Sequence, residues 1–214
     1  MRAEEILDAT IRRHPQLAPC RADVHAAYRA ITASFRQGAK LLICGNGGSA
    51  ADAEHIAGEL AKSFLLPRPL TAEQRGALEG RGEIGAALAS GLQRALPAIP
   101  LGAGGALTSA IANDNGQEFV YAQQVYAYGA GGDSLLAIST SGRSRNVVYA
   151  AETARALGVT VVALTGRSEG PLAERADVAI RVPEEETLLV QELHLPVYHA
   201  LCAMVEQSLF GEEP

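Results

Sequence analysis

The sequence predicts an α/β protein, a three-layer sandwich built on a central parallel sheet of about five strands. Three observations predict it. Short aliphatic runs recur at 41–44, 99–101, 135–138, 159–164 and 178–182. Helix-length segments separate them, the alternation that sets parallel strands between two helical layers. Glycine- or serine-rich turns follow two of the runs, at the strand ends where such sheets collect their binding groups.

Taken in order, residues 3–13 and 22–37 carry helical periodicity, with apolar Ile6, Leu7 and Ile11 and then Val24, Ala27, Tyr28 and Ile31. They are expected to form an N-terminal helical arm, residues 1–38, that packs between subunits. The main domain is expected over 39–214. Its first run, 41–44, enters Gly45-Asn46-Gly47-Gly48-Ser49 and then a helix with His55 and Glu59. A segment near 66–96 opens with Pro67-Arg68-Pro69-Leu70-Thr71, and 72–79 and 84–96 read as one or two helices. After the run at 99–101 comes Ala112-Asn113-Asp114-Asn115-Gly116, a polar contact group for which a simple turn is the alternative reading. The run at 135–138 leads into Ser139-Thr140-Ser141-Gly142-Arg143-Ser144 and a helix over 145–157 that Gly158 ends. Two further strands precede a last helix near 188–209, which carries Gln191, His194 and His199. Pro196 inside it removes a backbone donor and clashes with the carbonyl of Glu192, at about 3 kcal/mol. A bend or loosened turn is therefore expected between Gln191 and His199.

Composition narrows the function. Across 214 residues, 18 basic and 24 acidic side chains leave a net charge of −6, with no dense basic run to follow a nucleic-acid backbone. No uninterrupted apolar run reaches the roughly 20 residues that span a bilayer. The start, Met1-Arg2-Ala3-Glu4-Glu5, has acids where a secretory leader has basic and then apolar residues, so a cytoplasmic location without a membrane is expected. Cys20, Cys44 and Cys202 form no Cys-x-x-Cys pair and suit reduced thiols; Cys44 reads as a small core residue.

Two segments carry chemistry. The glycine-rich turn after the first strand offers backbone N–H groups and a positive helix end to an anion, beside His55 and Glu59, which can move protons. Read alone, such glycines are also a common tight turn. No Lys-Ser or Lys-Thr closes a Walker loop, and no Gly-x-Gly-x-x-Gly with a later acid marks a dinucleotide site. The hydroxyls of Ser139, Thr140, Ser141 and Ser144 at a strand's carboxyl end make a neutral phosphate cradle, although one serine there is also an ordinary N-cap. His55 and Glu59, four apart, share a helix face, and Gln191 and His199, eight apart, differ by about 80° of rotation. A solvated helix face and a buried core histidine are the simpler readings of these pairs.

These segments, with Ala112-Asn113-Asp114 and Gln191-Glu192-Leu193-His194 leading to His199, resemble the sugar isomerase (SIS) domain and, within it, the phosphoheptose isomerases. The resemblance implies conversion of sedoheptulose 7-phosphate to an aldose phosphate through an enediolate, for nucleotide-activated heptose synthesis. It implies Glu59 as base with His199 as partner. It implies sugar contacts from Asn46, Gly47, Gly48, Ser49, Glu59, Asn113, Asp114 and Gln191, and phosphate contacts from Ser139, Thr140, Ser141 and Ser144. It also implies a zinc ion held by His55, Glu59, Gln191 and His199, and a homotetramer with sites at subunit contacts. Two features depart from the family pattern: the added length near 66–96, a lid or a surface elaboration, and Ser63, preceded by Lys62, where a basic residue often stands. A non-catalytic relative that binds the replication initiator would tend to lack the acid–base pair, whereas this chain has Glu59 and His199. Residues 1–38 are too short and too weakly basic to suggest a helix-turn-helix regulator.

Overall fold

The computed structural model, which describes residues 2–211, places all five aliphatic runs in one sheet. In chain order the elements are α1 (Ala3–Arg13), a 3-10 turn (Pro15–Cys20), α2 (Arg21–Arg36), β1 (Leu41–Cys44), α3 (Gly48–Ala61), α4 (Ala72–Glu79), α5 (Gly82–Gly91) and β2 (Ala98–Pro100). There follow α6 (Gly105–Asp114), a second 3-10 turn (Gln117–Phe119), α7 (Val120–Tyr128), β3 (Ser134–Ser139), α8 (Arg145–Ala156), β4 (Thr160–Thr165), α9 (Pro171–Glu174), β5 (Val178–Arg181) and α10 (Thr187–Phe210). Every pairing is parallel, in the order β2-β1-β3-β4-β5. In register, Leu42 lies opposite Ile99 on one side and Leu135 on the other.

The strands are apolar without interruption because helices cover both faces. Alternate residues then sort into two cores. Leu41, Ile43, Leu136, Ile138, Val162 and Leu164 pack with α2, α3 and α10, while Leu42, Leu135, Ala137, Val161 and Ala163 pack with α7 and α8. Both N-terminal helices contribute to their own chain's core: Leu7, Val24, Ala27 and Ile31 are buried in the first cluster, and α1 lies along α10.

α10 departs from expectation in two ways. Its assignment runs unbroken through Pro196, so the expected loosened turn does not interrupt it. It is also long and apolar enough to cross a membrane by length and composition, although 67% of its most apolar window is buried inside the fold. It is a central core helix, holding Val190, Val197, Leu201, Met204 and Val205 against the sheet and α2.

The segment near 66–96 folds as a helical hairpin whose base is knitted to the body. Arg94 donates its N–H to the Arg68 carbonyl at 2.8 Å, Pro69 bridges Gln93, and Leu96 donates to the Leu60 carbonyl at 3.0 Å. α4 buries no side chain, so its ends decide its stability. Thr71 caps it: the hydroxyl accepts from Gln74 N–H at 3.2 Å, and the Gln74 amide oxygen accepts from Thr71 N–H at 3.0 Å. Thr71→Ala is expected to cost this helix about 1 kcal/mol. Amide exchange across 72–79 should quicken about fivefold while the global unfolding midpoint stays in place.

Candidate active site

β1 and β3 are neighbours, and the turns that follow them meet at the carboxyl edge of the sheet. At Gly45 a Cβ would come within 2.7 Å of the Ser49 Cβ and 2.8 Å of its carbonyl, so only glycine allows this turn to close on α3. Gly47, at φ 57°, sits in the region open to glycine and starts the helix. Tyr121 donates its hydroxyl to the Gly45 carbonyl and lies 3.2 Å from the Asn46 amide oxygen. The amides of Asn46 and Asn146 bond reciprocally at 2.9 and 2.8 Å, tying the glycine turn to α8.

On the β3 side, Ser144 occupies the N-cap position of α8, yet its side chain makes no capping bond. The Ser139 hydroxyl instead donates to it at 3.1 Å, and the Ser141 hydroxyl accepts from Arg143 N–H at 3.2 Å. These hydroxyls and the open N–H groups of the first helical turn form a neutral, anion-compatible cradle. Asn113 and Asp114 close the exposed end of α6, where the Asn113 amide donates to the Asp114 carboxylate at 2.8 Å. Neither has a hydrogen bond to the other candidate side chains among the described residues.

A second cluster lies three turns down α3. His55 Nε2 is 3.2 Å from Glu59 Oε1, and Lys62 Nζ is 3.1 Å from Glu59 Oε2. The Glu59 side chain is 16% exposed, so its charge is partly sheltered beside these two groups. His199 approaches from α10, its ring 5.0 Å from that of His55 and edge-on to it. Burial lowers the His199 pKa, His55 lowers it further, and Glu59 opposes both. The ring is therefore neutral at physiological pH and able to accept or relay a proton.

Tyr198 and Asp52 stand behind His55. The Tyr198 hydroxyl is 3.1 Å from His55 Nδ1 and bonded to Asp52; burial raises the tyrosine pKa, and the Asp52 charge raises it further. With Asp52 accepting from Tyr198, the phenol oxygen is left to accept from His55 Nδ1–H. Burial raises the Asp52 pKa as well, opposed by Tyr198 and His55.

A Cβ on Gly48 would lie 2.5 Å from Gln191 Nε2, which places Gln191 against the first turn of α3, whereas His199 meets His55 farther along both helices. α3 and α10 thus run side by side in the same direction. Among the described residues no group of three or more His, Cys, Asp or Glu side chains is placed to hold a metal ion.

Other singled-out residues are accounted for by burial. Cys44 is fully buried and its thiol is pushed up to about 12, which leaves it a core residue rather than a nucleophile. His194 is fully buried, and burial drives its pKa down to about 4 against an opposing, weakly aligned contact with the Thr165 backbone.

An α/β fold with a parallel five-stranded sheet, a hydroxyl cradle at one strand tip and a carboxylate–histidine cluster nearby defines a protein that handles sugar phosphates. A family model described as the SIS domain matches residues 17–95 and 83–166. The chain is 39% identical over 194 residues to a phosphoheptose isomerase of Rhodospirillum rubrum, with 91% of this chain and 90% of that one covered. It is 41% identical over 213 residues to one of Mycobacterium bovis, covering 98% and 95%. Among solved structures, the phosphoheptose isomerase of Neisseria gonorrhoeae superposes with a TM-score of 0.72 at 32% identity, over 92% of this chain and 94% of that one. That of Francisella tularensis superposes with 0.75 at 30%, over 95% and 96%. The chain belongs to the SIS-domain family and, within it, to the phosphoheptose isomerases.

Proposed function

We propose that the protein isomerises sedoheptulose 7-phosphate to D-glycero-D-manno-heptose 7-phosphate, acting in the cytoplasm as a homotetramer in the supply of nucleotide-activated heptose. The observation that carries this reading is the cluster of Glu59, His55 and His199 on two parallel helices, within a chain homologous to phosphoheptose isomerases over nine-tenths of its length.

Glu59 takes a proton from C1 of the ketose, leaving an enediolate across C1 and C2. A proton returns to C2 while the hydroxyl proton passes from O1 to O2, so the product differs from the substrate only in the placing of hydrogen. His199, neutral and facing the same space, carries the oxygen-bound proton. Lys62 holds positive charge beside the carboxylate as it turns over, and His55 Nε2 lies 3.2 Å from it.

The tetramer rests on the family resemblance, which implies sites assembled at subunit contacts. A zinc ion would take His55, Glu59, Gln191 and His199 as its donors and would polarise the sugar carbonyl as a Lewis acid.

The test is turnover of sedoheptulose 7-phosphate by purified protein, with and without added zinc, together with its mass in solution. Conversion by a tetramer is expected; no conversion of this or any other sugar phosphate would refute the enzymatic reading. Gly48→Ala sharpens it. The new methyl group displaces only the flexible end of Gln191, so the fold should hold while KM rises about fivefold, the worth of one polar contact.

A further inference from the structure

We propose that Arg68 is a positioning residue for this reaction, setting Glu59 against His199 by clamping the end of α3 to α10; the inference rests on Glu59 being the base. The guanidinium is fully buried, and each arm has a separate partner. Nε donates to Glu206 Oε1 at 2.7 Å, Nη1 to the Leu60 carbonyl at 2.7 Å and Nη2 to the carbonyl of Glu59 itself at 3.2 Å. The last carbonyls of a helix have no partner within it. Here the residue that carries the base is held by its own backbone.

Glu206, on α10 two turns beyond His199, is as deeply buried as its partner, at 1% side-chain exposure. Besides Arg68 it accepts three backbone N–H groups, from Phe64 at 2.8 Å, Leu65 at 2.7 Å and Leu66 at 3.0 Å. That grip fixes the turn after α3, and the Phe64 ring it carries lies 5.7 Å from the ring of His199. The Arg68 guanidinium also stacks 4.6 Å from the centre of the Phe210 ring. One ion pair therefore sets both halves of the acid–base pair, the helix end under Glu59 and the aromatic wall against His199.

Stability alone gives little reason for this arrangement. A buried ion pair loses in desolvation about what it gains in attraction, and a well-packed apolar pair of the same volume usually holds a fold as well. A planar fork adds direction, with three donors at fixed angles reaching two carbonyls at the end of α3 and the Glu206 carboxylate on α10. A lysine ammonium would keep the charge and could reach Glu206, yet it could not span Glu206 and both helix-end carbonyls at once.

Arg68→Lys is the test, assayed beside Glu59→Gln at a temperature where each is folded. Arg68→Lys is expected to lower kcat about tenfold and leave KM within twofold, because the base is displaced while substrate contacts are kept. A lower unfolding midpoint with unchanged kcat would overturn the proposal and leave Arg68 a purely structural residue. Glu206→Gln, nearly isosteric, provides the same readouts should Arg68→Lys fail to fold, and failure of both to fold would also reduce the pair to a structural role. If Glu59→Gln keeps its rate, the assignment of the base fails; if Glu59→Gln is inactive while Arg68→Lys keeps its kcat, only the clamp fails.

Discussion

Glu59→Gln is expected to lower kcat for ketoheptose phosphate isomerisation by roughly 10²–10⁴-fold, the usual worth of a placed general base. The fold should survive, because the core contact at this position is the Glu59 carbonyl, which accepts from Arg68, and not the carboxylate. The amide keeps an oxygen for His55 and Lys62 but cannot take a carbon-bound proton. KM should therefore move little while kcat collapses, the pattern of an interaction used only in the transition state. Steady-state turnover and a thermal midpoint measured on the same preparation check both halves. A variant that retains its rate would remove Glu59 from the mechanism and leave the fold assignment untouched.

The second large effect is on acid stability. His194 is buried and neutral, with a folded pKa of about 4 against an unfolded value near 6.5. Between those values the unfolded chain binds a proton that the folded chain refuses, so stability falls as pH drops from about 6.5 to 4. Each unit of difference is worth about 1.4 kcal/mol, which makes the loss from this residue about 3 kcal/mol. His199, also lowered, adds in the same direction. Asp133 works lower on the scale: burial raises its pKa, but Lys40 at 2.7 Å and two backbone N–H groups outweigh that, so its stabilisation is lost as pH falls past the ordinary aspartate range. Denaturant unfolding of the protein and of His194→Phe across pH 4 to 7 should show a clearly flatter slope in the variant. Equal slopes would mean that His194 is not the group responsible.

The sequence was most informative where a local pattern has a local cause. The run at 41–44 is β1 to the residue, 72–79 is α4, and Gly158 ends α8 as its position suggested. The hydroxyl-rich turn also lies where expected, at the tip of β3. Pro196 is a different case. Its local cost is real, but α10 continues because Val190, Leu193, Val197, Leu201 and Val205 are packed into the core on either side of it.

What escaped reading is made of pairs far apart in the chain. Tyr198 beside His55, Asn146 beside Asn46 and Arg68 beside Glu206 are each separated by a hundred residues or more. A faint signal existed for the last: a single carboxylate after Leu201-Cys202-Ala203-Met204-Val205, and an arginine between two prolines, are charges set in places that would bury them.

By itself, then, the order of residues determined the layers, the strands and the kinds of side chain at the sheet's carboxyl edge, because aliphatic runs, caps and glycine turns act within a few residues. The tertiary structure alone decided that His55, Glu59 and His199 form one cluster, that Gln191 lies against the first turn of α3, and that a buried arginine joins the two helices. Those outcomes depend on how α3 and α10 slide past each other, which core packing decides and no short stretch of sequence encodes.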